Sequence, residues 1–141
     1  MAHRRLLLLV MIVLGAWMMC LTGCSTGPLN GTLVDYRRSG GIIGLEDHLI
    51  IKKGGAATLT RQSGSYEFTL GDGVISNLNA LFEAAEFSKL DRNYAPSREG
   101  RDLFSYSVSY GGHTVRAKDG AIPPSLSPIL TALDQIIEEQ S

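Results

Sequence analysis

Two glycine pairs, Gly54-Gly55 and Gly111-Gly112, each stand between two segments with the composition of β-strands. Glycine adopts the positive φ angles of tight hairpin turns at little cost, so each pair predicts a β-hairpin. The two strands of a hairpin are antiparallel, and at least part of the fold must therefore be an antiparallel sheet. No other feature of the sequence constrains the fold as strongly.

Further strands are predicted over Thr32 to Arg38 and Tyr66 to Leu70. The apolar period changes to about 3.6 in two places, which predicts amphipathic helices, one capped by Asp72 and one capped by Ser125 or Ser127. The C-terminal helix has the more regular apolar face, formed by Leu126, Ile129, Leu130, Leu133, Ile136 and Ile137.

These elements predict an α+β fold with the order β-β-β-β-α-β-β-α. Each helix is apolar on one side and needs a sheet to cover. We therefore expect a single antiparallel β-sheet of about five to six strands with two amphipathic helices packed on one face. The polar segment from Ser88 to Asp102 is predicted to be a long connecting loop.

The N-terminus has the three parts of a secretory signal peptide: the basic residues Arg4 and Arg5, the uncharged run from Leu6 to Leu21, and a small-residue cleavage site. The run is shorter than the roughly 18 residues that favour a membrane-spanning helix. It ends in Leu21-Thr22-Gly23-Cys24, which resembles the lipobox of bacterial lipoproteins. This resemblance implies lipidation at Cys24 and an exported lipoprotein of the cell membrane or outer membrane. An uncleaved anchor and an ordinary signal peptide are the alternatives.

Three segments follow from this interpretation: a signal peptide over 1–23 that is removed, a lipidated Cys24 with a short linker over 24–31, and a single domain over 32–141. Cys20 leaves with the signal peptide and Cys24 is modified, so no thiol remains for a disulfide, a metal or a nucleophile. Loss of two basic residues lowers the net charge from −1 to about −3. This acidic balance gives no support to nucleic-acid binding.

The sequence offers no catalytic, cofactor-binding or metal-binding constellation. His48 and His113 stand far apart, and neither has a second histidine at metal-ligand spacing. Glu46-Asp47-His48 is better explained as a charged strand edge than as a metal site. Three serines alternate along one predicted strand, Ser105, Ser107 and Ser109. This alternation favours a polar sheet face over a catalytic nucleophile. We predict that the protein is not an enzyme, needs no cofactor and has no identified small-molecule substrate.

A glycine-rich loop, Ser39-Gly40-Gly41-Ile42-Ile43-Gly44, follows the first predicted strand. It lacks the Lys-Ser/Thr of a phosphate-binding P-loop, and no predicted helix follows it. Two interpretations stay open. The loop is either a plain turn between strands, or it presents Ile42 and Ile43 outward as an apolar plug for a partner's pocket.

Several segments, in this order along the chain, resemble the emfourin family, whose founding member inhibits a thermolysin-like (M4) metalloprotease. The resemblance implies a domain that occludes a metalloprotease cleft without chemistry of its own. Carried to the matching positions, it implies contact through Gly40, Gly41, Ile42, Ile43 and Gly44. The segments that carry it are Tyr36–Gly44, Leu81–Phe87, Asp102–Val108, Gly111–Val115 and Pro123–Leu130.

The expected function is therefore that of a membrane-anchored inhibitor or binder of M4 metalloproteases. The alternative is a structural or assembly lipoprotein without inhibitory activity. Such a protein would bind an envelope protein through a sheet edge or through the serine-rich face.

Overall fold

The computed structural model of the protein describes residues 31–98, 100 and 102–140. These residues form seven strands and two α-helices. In chain order they are β1 (Thr32–Gly40), β2 (Leu45–Lys52), β3 (Ala56–Arg61), β4 (Gly64–Thr69), α1 (Asp72–Ala84), β5 (Asn93–Tyr94), β6 (Ser105–Tyr110), β7 (His113–Lys118) and α2 (Ser127–Glu138).

The strands build one sheet in the order β4-β3-β2-β1-β6-β7-β5. The α+β class and both predicted hairpins are confirmed, as β2–β3 and β6–β7. Gly111 and Gly112 both have positive φ, which the type I′ hairpin turn requires.

The predicted strand count and the all-antiparallel pairing are wrong. The sheet has seven strands and is mixed, because β5 pairs parallel to β7. Strand β5 lies within the segment from Ser88 to Asp102 that was predicted as a loop. Two residues are too few to show alternation, and the pairing depends on a distant part of the chain: the Arg116 amide donates to the Arg92 carbonyl at 2.9 Å. Local sequence cannot reveal such a strand.

The core lies on one face of the sheet, under both helices. Val34 and Tyr36 of β1 are fully buried and stand opposite Ile51 and Leu49 of β2. From α1, Phe82 stacks on Tyr110 of β6 with ring centroids 4.0 Å apart. The predicted apolar face of the C-terminal helix is confirmed, because all six of its residues are buried: Leu126, Ile129, Leu130, Leu133, Ile136 and Ile137.

The other face of the sheet is polar. Ser107 of β6 stands between Arg37 of β1 and Arg116 of β7, and both arginines are exposed. Side chains of successive strand residues point to opposite faces, so the serines lie opposite the core in phase with Arg37. The expectation of a polar serine face therefore agrees with the strand register.

The predicted helix caps are wrong. Gly71 is the N-cap of α1, and Asp72 is the first helical residue, where its charge favours the helix dipole. Leu126 is the N-cap of α2, ahead of Ser127 and Pro128. Leu126 is also fully buried, so core packing, and not a capping hydroxyl, sets where α2 begins.

Candidate functional site

The candidate site is the turn between β1 and β2, formed by Gly41, Ile42, Ile43 and Gly44. The Gly44 amide donates to the Gly41 carbonyl at 3.1 Å, which closes a β-turn with the two isoleucines at its centre. Ile42 is 87% exposed and Ile43 is 81% exposed. No other large apolar side chain in the described part of the chain exceeds 41%. The turn therefore presents the two isoleucines to solvent, as the second interpretation of the loop predicted.

Two glycines allow the turn to lie close against the segment before β6. A side chain at Gly40, whose φ is +125°, would overlap the Leu103 carbonyl oxygen. A Cβ at Gly41, whose φ is +72°, would come within 2.9 Å of the Phe104 ring. The Gly40 contact is with backbone and is possible only for a residue without a side chain, whereas a Cβ at Gly41 would displace the Phe104 ring. Phe104 therefore packs directly against one end of the turn.

Phe104 is itself held by Asp119, which follows β7. The Phe104 amide donates to Asp119 Oδ2 at 3.0 Å, and the Asp119 amide donates back to the Phe104 carbonyl at 3.0 Å. Tyr106 donates its hydroxyl to Asp119 Oδ1 at 3.0 Å. Burial and this hydrogen bond raise the pKa of Tyr106 to about 12. The support beneath Gly41 is therefore fixed by backbone and side-chain hydrogen bonds.

The other end of the turn is held from the β3–β4 connection. Gln62 donates from Nε2 to the Gly44 carbonyl at 2.8 Å. Gly44 has a φ of +63°, and its Cβ position is open space. The Gln62 side chain is exposed, so this hydrogen bond lies at the protein surface.

A buried charge network lies directly below the turn on the core face. Asp47 of β2 is 4% exposed and accepts from Arg38 Nη2 of β1 at 2.7 Å. Its other oxygen is 3.2 Å from Nε of Arg61 on β3. The Arg38, Asp47 and Arg61 side chains thus join three neighbouring strands at the end from which the turn projects.

The same network reaches helix α2. Arg61 donates to the Ile137 carbonyl at 2.8 Å, and Arg38 Nη1 lies 3.1 Å from Asp134. Tyr36 donates its hydroxyl to Asp134 at 2.7 Å. The C-terminal half of α2 is therefore attached to the strands that carry the turn.

Burial and pairing shift the titration of this network. Burial raises the pKa of Asp134, and its hydrogen bond from Tyr36 and the nearby Arg38 charge offset this only in part. Burial favours neutral Arg38, but the hydrogen bond to Asp47 and the charge of Asp134 outweigh it and raise the Arg38 pKa. The pKa of Tyr36 is strongly raised by burial and by its hydrogen bond to Asp134.

The raised tyrosine pKa values predict a loss of stability in alkali. The folded state disfavours the phenolate, whereas the unfolded chain ionises near the ordinary value of 10.0. The stability that the two protonated tyrosines contribute is therefore fully present below pH 10 and is lost as the pH rises above it. In a titration of phenolate absorbance, Tyr36→Phe should match the wild type up to about pH 11 and lose one tyrosine only at higher pH. In denaturant, where all tyrosines titrate normally, the variant should show one ionised tyrosine fewer than the wild type already near pH 10.

The glycine geometry predicts a sharp difference between two alanine substitutions in the same loop. Gly40→Ala places a Cβ into the Leu103 carbonyl and should reduce the free energy of unfolding by about 2 kcal/mol or more. Gly44→Ala meets no atom and should lose only about 1 kcal/mol from its positive φ. Urea denaturation of the 25–141 domain measures both changes. Equal losses would contradict the close approach to Leu103.

The other predicted positions fall into three groups. Cys24 lies outside the described residues. Asp47 faces the core whereas Glu46 and His48 face the other side of β2, so these three cannot share a metal. His48 contacts Asp35 at 3.1 Å and His113 contacts the Leu90 carbonyl at 2.9 Å. Over residues 31–98, 100 and 102–140, no group of three or more His, Cys, Asp or Glu side chains could hold a metal ion.

Sequence reasoning missed the Arg38–Asp47–Arg61 network. A signal for it exists, because each of these charged residues stands in phase with buried apolar residues of its strand. Arg38 follows Val34 and Tyr36 at a spacing of two, and Asp47 precedes Leu49 and Ile51 in the same way. A charge at a core-facing position predicts a paired partner on the neighbouring strand.

Among the described residues, no helix is both long enough and apolar enough to cross a membrane. A scan against protein-family models finds no match for this chain, and a search of curated proteins finds none that is significantly similar.

Proposed function

We propose that this protein is a lipid-anchored inhibitor of thermolysin-like (M4) metalloproteases, which it blocks by inserting Ile42 or Ile43 into the active-site cleft. The observation that carries the proposal is the exposure of both isoleucines, 87% and 81%, on a turn that is braced at both ends. The resemblance of residues Tyr36–Gly44 to the emfourin family also supports this turn as the surface that contacts the protease. Thermolysin-like clefts accept bulky aliphatic side chains in their primary pocket, which suits isoleucine.

Bracing matters because binding costs conformational entropy. A loop that is already ordered loses less freedom when it docks, so more of the contact energy appears as affinity. Here Phe104 supports Gly41 and Gln62 holds Gly44, while both isoleucine side chains remain free for a partner. A few anchor side chains that fill well-packed pockets carry most of the binding energy of an interface, and an isoleucine on an ordered turn can serve as such an anchor.

The topology also separates the turn from the proposed anchor. Cys24 lies on the N-terminal side of β1, and the turn leaves the opposite end of the same strand after Gly40. Nine strand residues extend about 27 to 30 Å, whereas residues 25–31 can span at most about 25 Å. A membrane anchor at Cys24 would therefore join the domain at the end of β1 opposite the turn, which leaves room for the turn to be reached by a secreted protease.

Replacing the isoleucines tests the proposed contact. Ile42→Asp and Ile43→Asp, made in the 25–141 domain whose core lies wholly within the described residues, should each weaken inhibition of a thermolysin-like enzyme. We expect at least a 30-fold rise in the inhibition constant, equivalent to a hot-spot loss of about 2 kcal/mol. Both side chains are exposed, so the free energy of unfolding should change by less than about 0.5 kcal/mol.

Val74→Asp provides the matched control. Val74 is another exposed aliphatic residue, 39% accessible, but it lies in the first turn of α1. An aspartate there favours the helix dipole and should leave inhibition unchanged. Equal effects of the three substitutions, or no inhibition by the wild-type domain at high micromolar concentration, would refute the proposed contact.

The anchor has its own test. Cys24→Ala in the full chain should abolish incorporation of a labelled fatty acid and move the protein from the membrane fraction to the soluble fraction. A Cys20→Ala variant should behave like the wild type, because Cys20 lies within the proposed signal peptide. Continued lipidation of the Cys24→Ala protein would contradict the assignment.

The alternative, an envelope-assembly lipoprotein, is favoured by one feature of the sheet. Strand β4 is an edge strand, and five of its six residues are exposed. An unpaired edge of this kind can accept a strand from a partner. Co-purification of an envelope protein that survives both isoleucine substitutions, together with absence of inhibition, would identify this role.

A further inference from the structure

We propose that the β1–β2 turn blocks a protease without being cut, because Phe104 and Gln62 hold it in a conformation that cannot be hydrolysed. We call these two residues the turn clamp. The inference rests on the proposed function, since it concerns how the same turn behaves in the same cleft. It assigns Phe104 and Gln62 a role as positioning residues.

The first step concerns the shape of the turn. An extended peptide binds a cleft by adding a strand to an exposed edge, and this is the shape in which alternate side chains reach successive pockets. Residues Gly41 to Gly44 are instead closed by the 3.1 Å hydrogen bond from the Gly44 amide to the Gly41 carbonyl. Neither Ile42 nor Ile43 has a positive φ, which excludes turn types II, I′ and II′. To become a substrate the turn must break this hydrogen bond and extend.

The second step concerns what resists extension. Gly40 lies so close to the Leu103 carbonyl that it has no room for a Cβ, and Gly41 lies against the Phe104 ring, which a Cβ would displace. At the other end, the Gly44 carbonyl accepts from Gln62 at 2.8 Å. Gly40 also remains paired with Leu45 across the β1–β2 ladder. Both ends of the four-residue segment are thus held by other segments, the residues before β6 and the β3–β4 connection, and extension would require release of at least one of them.

The third step concerns how firmly the clamp is itself held. Asp119 binds the Phe104 backbone at both its amide and its carbonyl, at 3.0 Å each. Gln62 directly follows Arg61, whose guanidinium forms an ion pair with Asp47 and donates a hydrogen bond to the Ile137 carbonyl. Neither clamp residue lies on a segment that is free to move with the turn.

Hydrolysis would add one water across a peptide bond between Gly41 and Gly44, breaking that C–N bond and producing a new carboxylate and a new amine. When local opening is fast relative to cleavage, the rate of cutting follows the population of the opened loop. Removing a clamp contact raises that population and should convert a resistant turn into a substrate. Exposed loop tips are the usual sites of proteolytic nicking, so resistance here is informative.

The experiment incubates the 25–141 domain with catalytic amounts of thermolysin and follows cleavage between residues 41 and 44 by mass spectrometry. Wild-type protein should be cut only slowly at this site. Gln62→Ala, which removes one exposed side chain, should be cut about fivefold faster, and Gln62→Ala combined with Phe104→Ala at least tenfold faster. Gln135→Ala is the matched control: it removes another exposed glutamine, this one on α2, whose side chain contacts Glu139 at the C-cap of that helix, and should leave the turn as resistant as in the wild type.

The outcomes separate this inference from the proposed function. Cleavage of the wild type between 41 and 44 at the rate of the double variant would overturn the clamp, even if the protein inhibits. A resistant wild type with a cleavable Gln62→Ala variant supports the clamp, even if inhibition is absent and the proposed function fails. Urea denaturation distinguishes local opening from general unfolding, because Gln62→Ala should keep the wild-type midpoint while its cleavage remains confined to the turn.

Discussion

The structure around the turn depends on a single buried carboxylate. Asp47 is 4% exposed, and removing a carboxylate from water costs several kcal/mol unless positive charge and hydrogen bonds replace the solvent. Arg38 supplies a charge and a hydrogen bond at 2.7 Å, and Arg61 supplies a second charge at 3.2 Å, from the two strands that flank β2. Each arginine also has a second partner, Asp134 for Arg38 and the Ile137 carbonyl for Arg61, so the pairing extends from three strands into helix α2. Loss of Asp47 would remove the carboxylate that both arginines share, whereas loss of either arginine would leave Asp47 with one cationic partner.

This arrangement contributes specificity to the pairing of the strands. A shift of one residue between β1 and β2 would move Asp47 out of the core face and place it among the exposed side chains of the opposite face. In the observed register Arg38 stands directly opposite Asp47, and Gly40 opposite Leu45. The register determines which four residues form the turn, so the charge pairing fixes Ile42 and Ile43 at its centre.

Much of the fold follows from local sequence, and the exceptions among its elements share one cause. The glycine pairs and the regular apolar face of α2 are each contained in a short segment, and both were predicted correctly. Strand β5 has two residues and gains its hydrogen bonds from β7, more than 20 positions away in the chain. The N-cap of α2 is set by burial of Leu126, and no local capping preference indicates it.

The Arg38–Asp47–Arg61 network was missed for a different reason. Charged residues in a strand were assumed to face solvent, although the phase of these three along their strands indicates the core. The exposed isoleucines were predicted, but the clamp of Phe104 and Gln62 depends on contacts between distant segments.

The turn itself departs from what its local structure favours, and this departure bears on the proposed function. Central positions of β-turns favour Gly, Pro, Asn, Asp and Ser, which either set the backbone angles or hydrogen-bond to it. Two β-branched isoleucines do neither, and they place apolar surface in water where a polar pair would connect β1 to β2 equally well. The chain nevertheless supports this turn from both sides, with Phe104 and its Asp119 contacts at one end and Gln62 at the other. Conflict between local preference and surrounding structure is expected where a segment serves a partner as well as the fold. A turn whose purpose was connection alone would require neither the isoleucines nor the clamp.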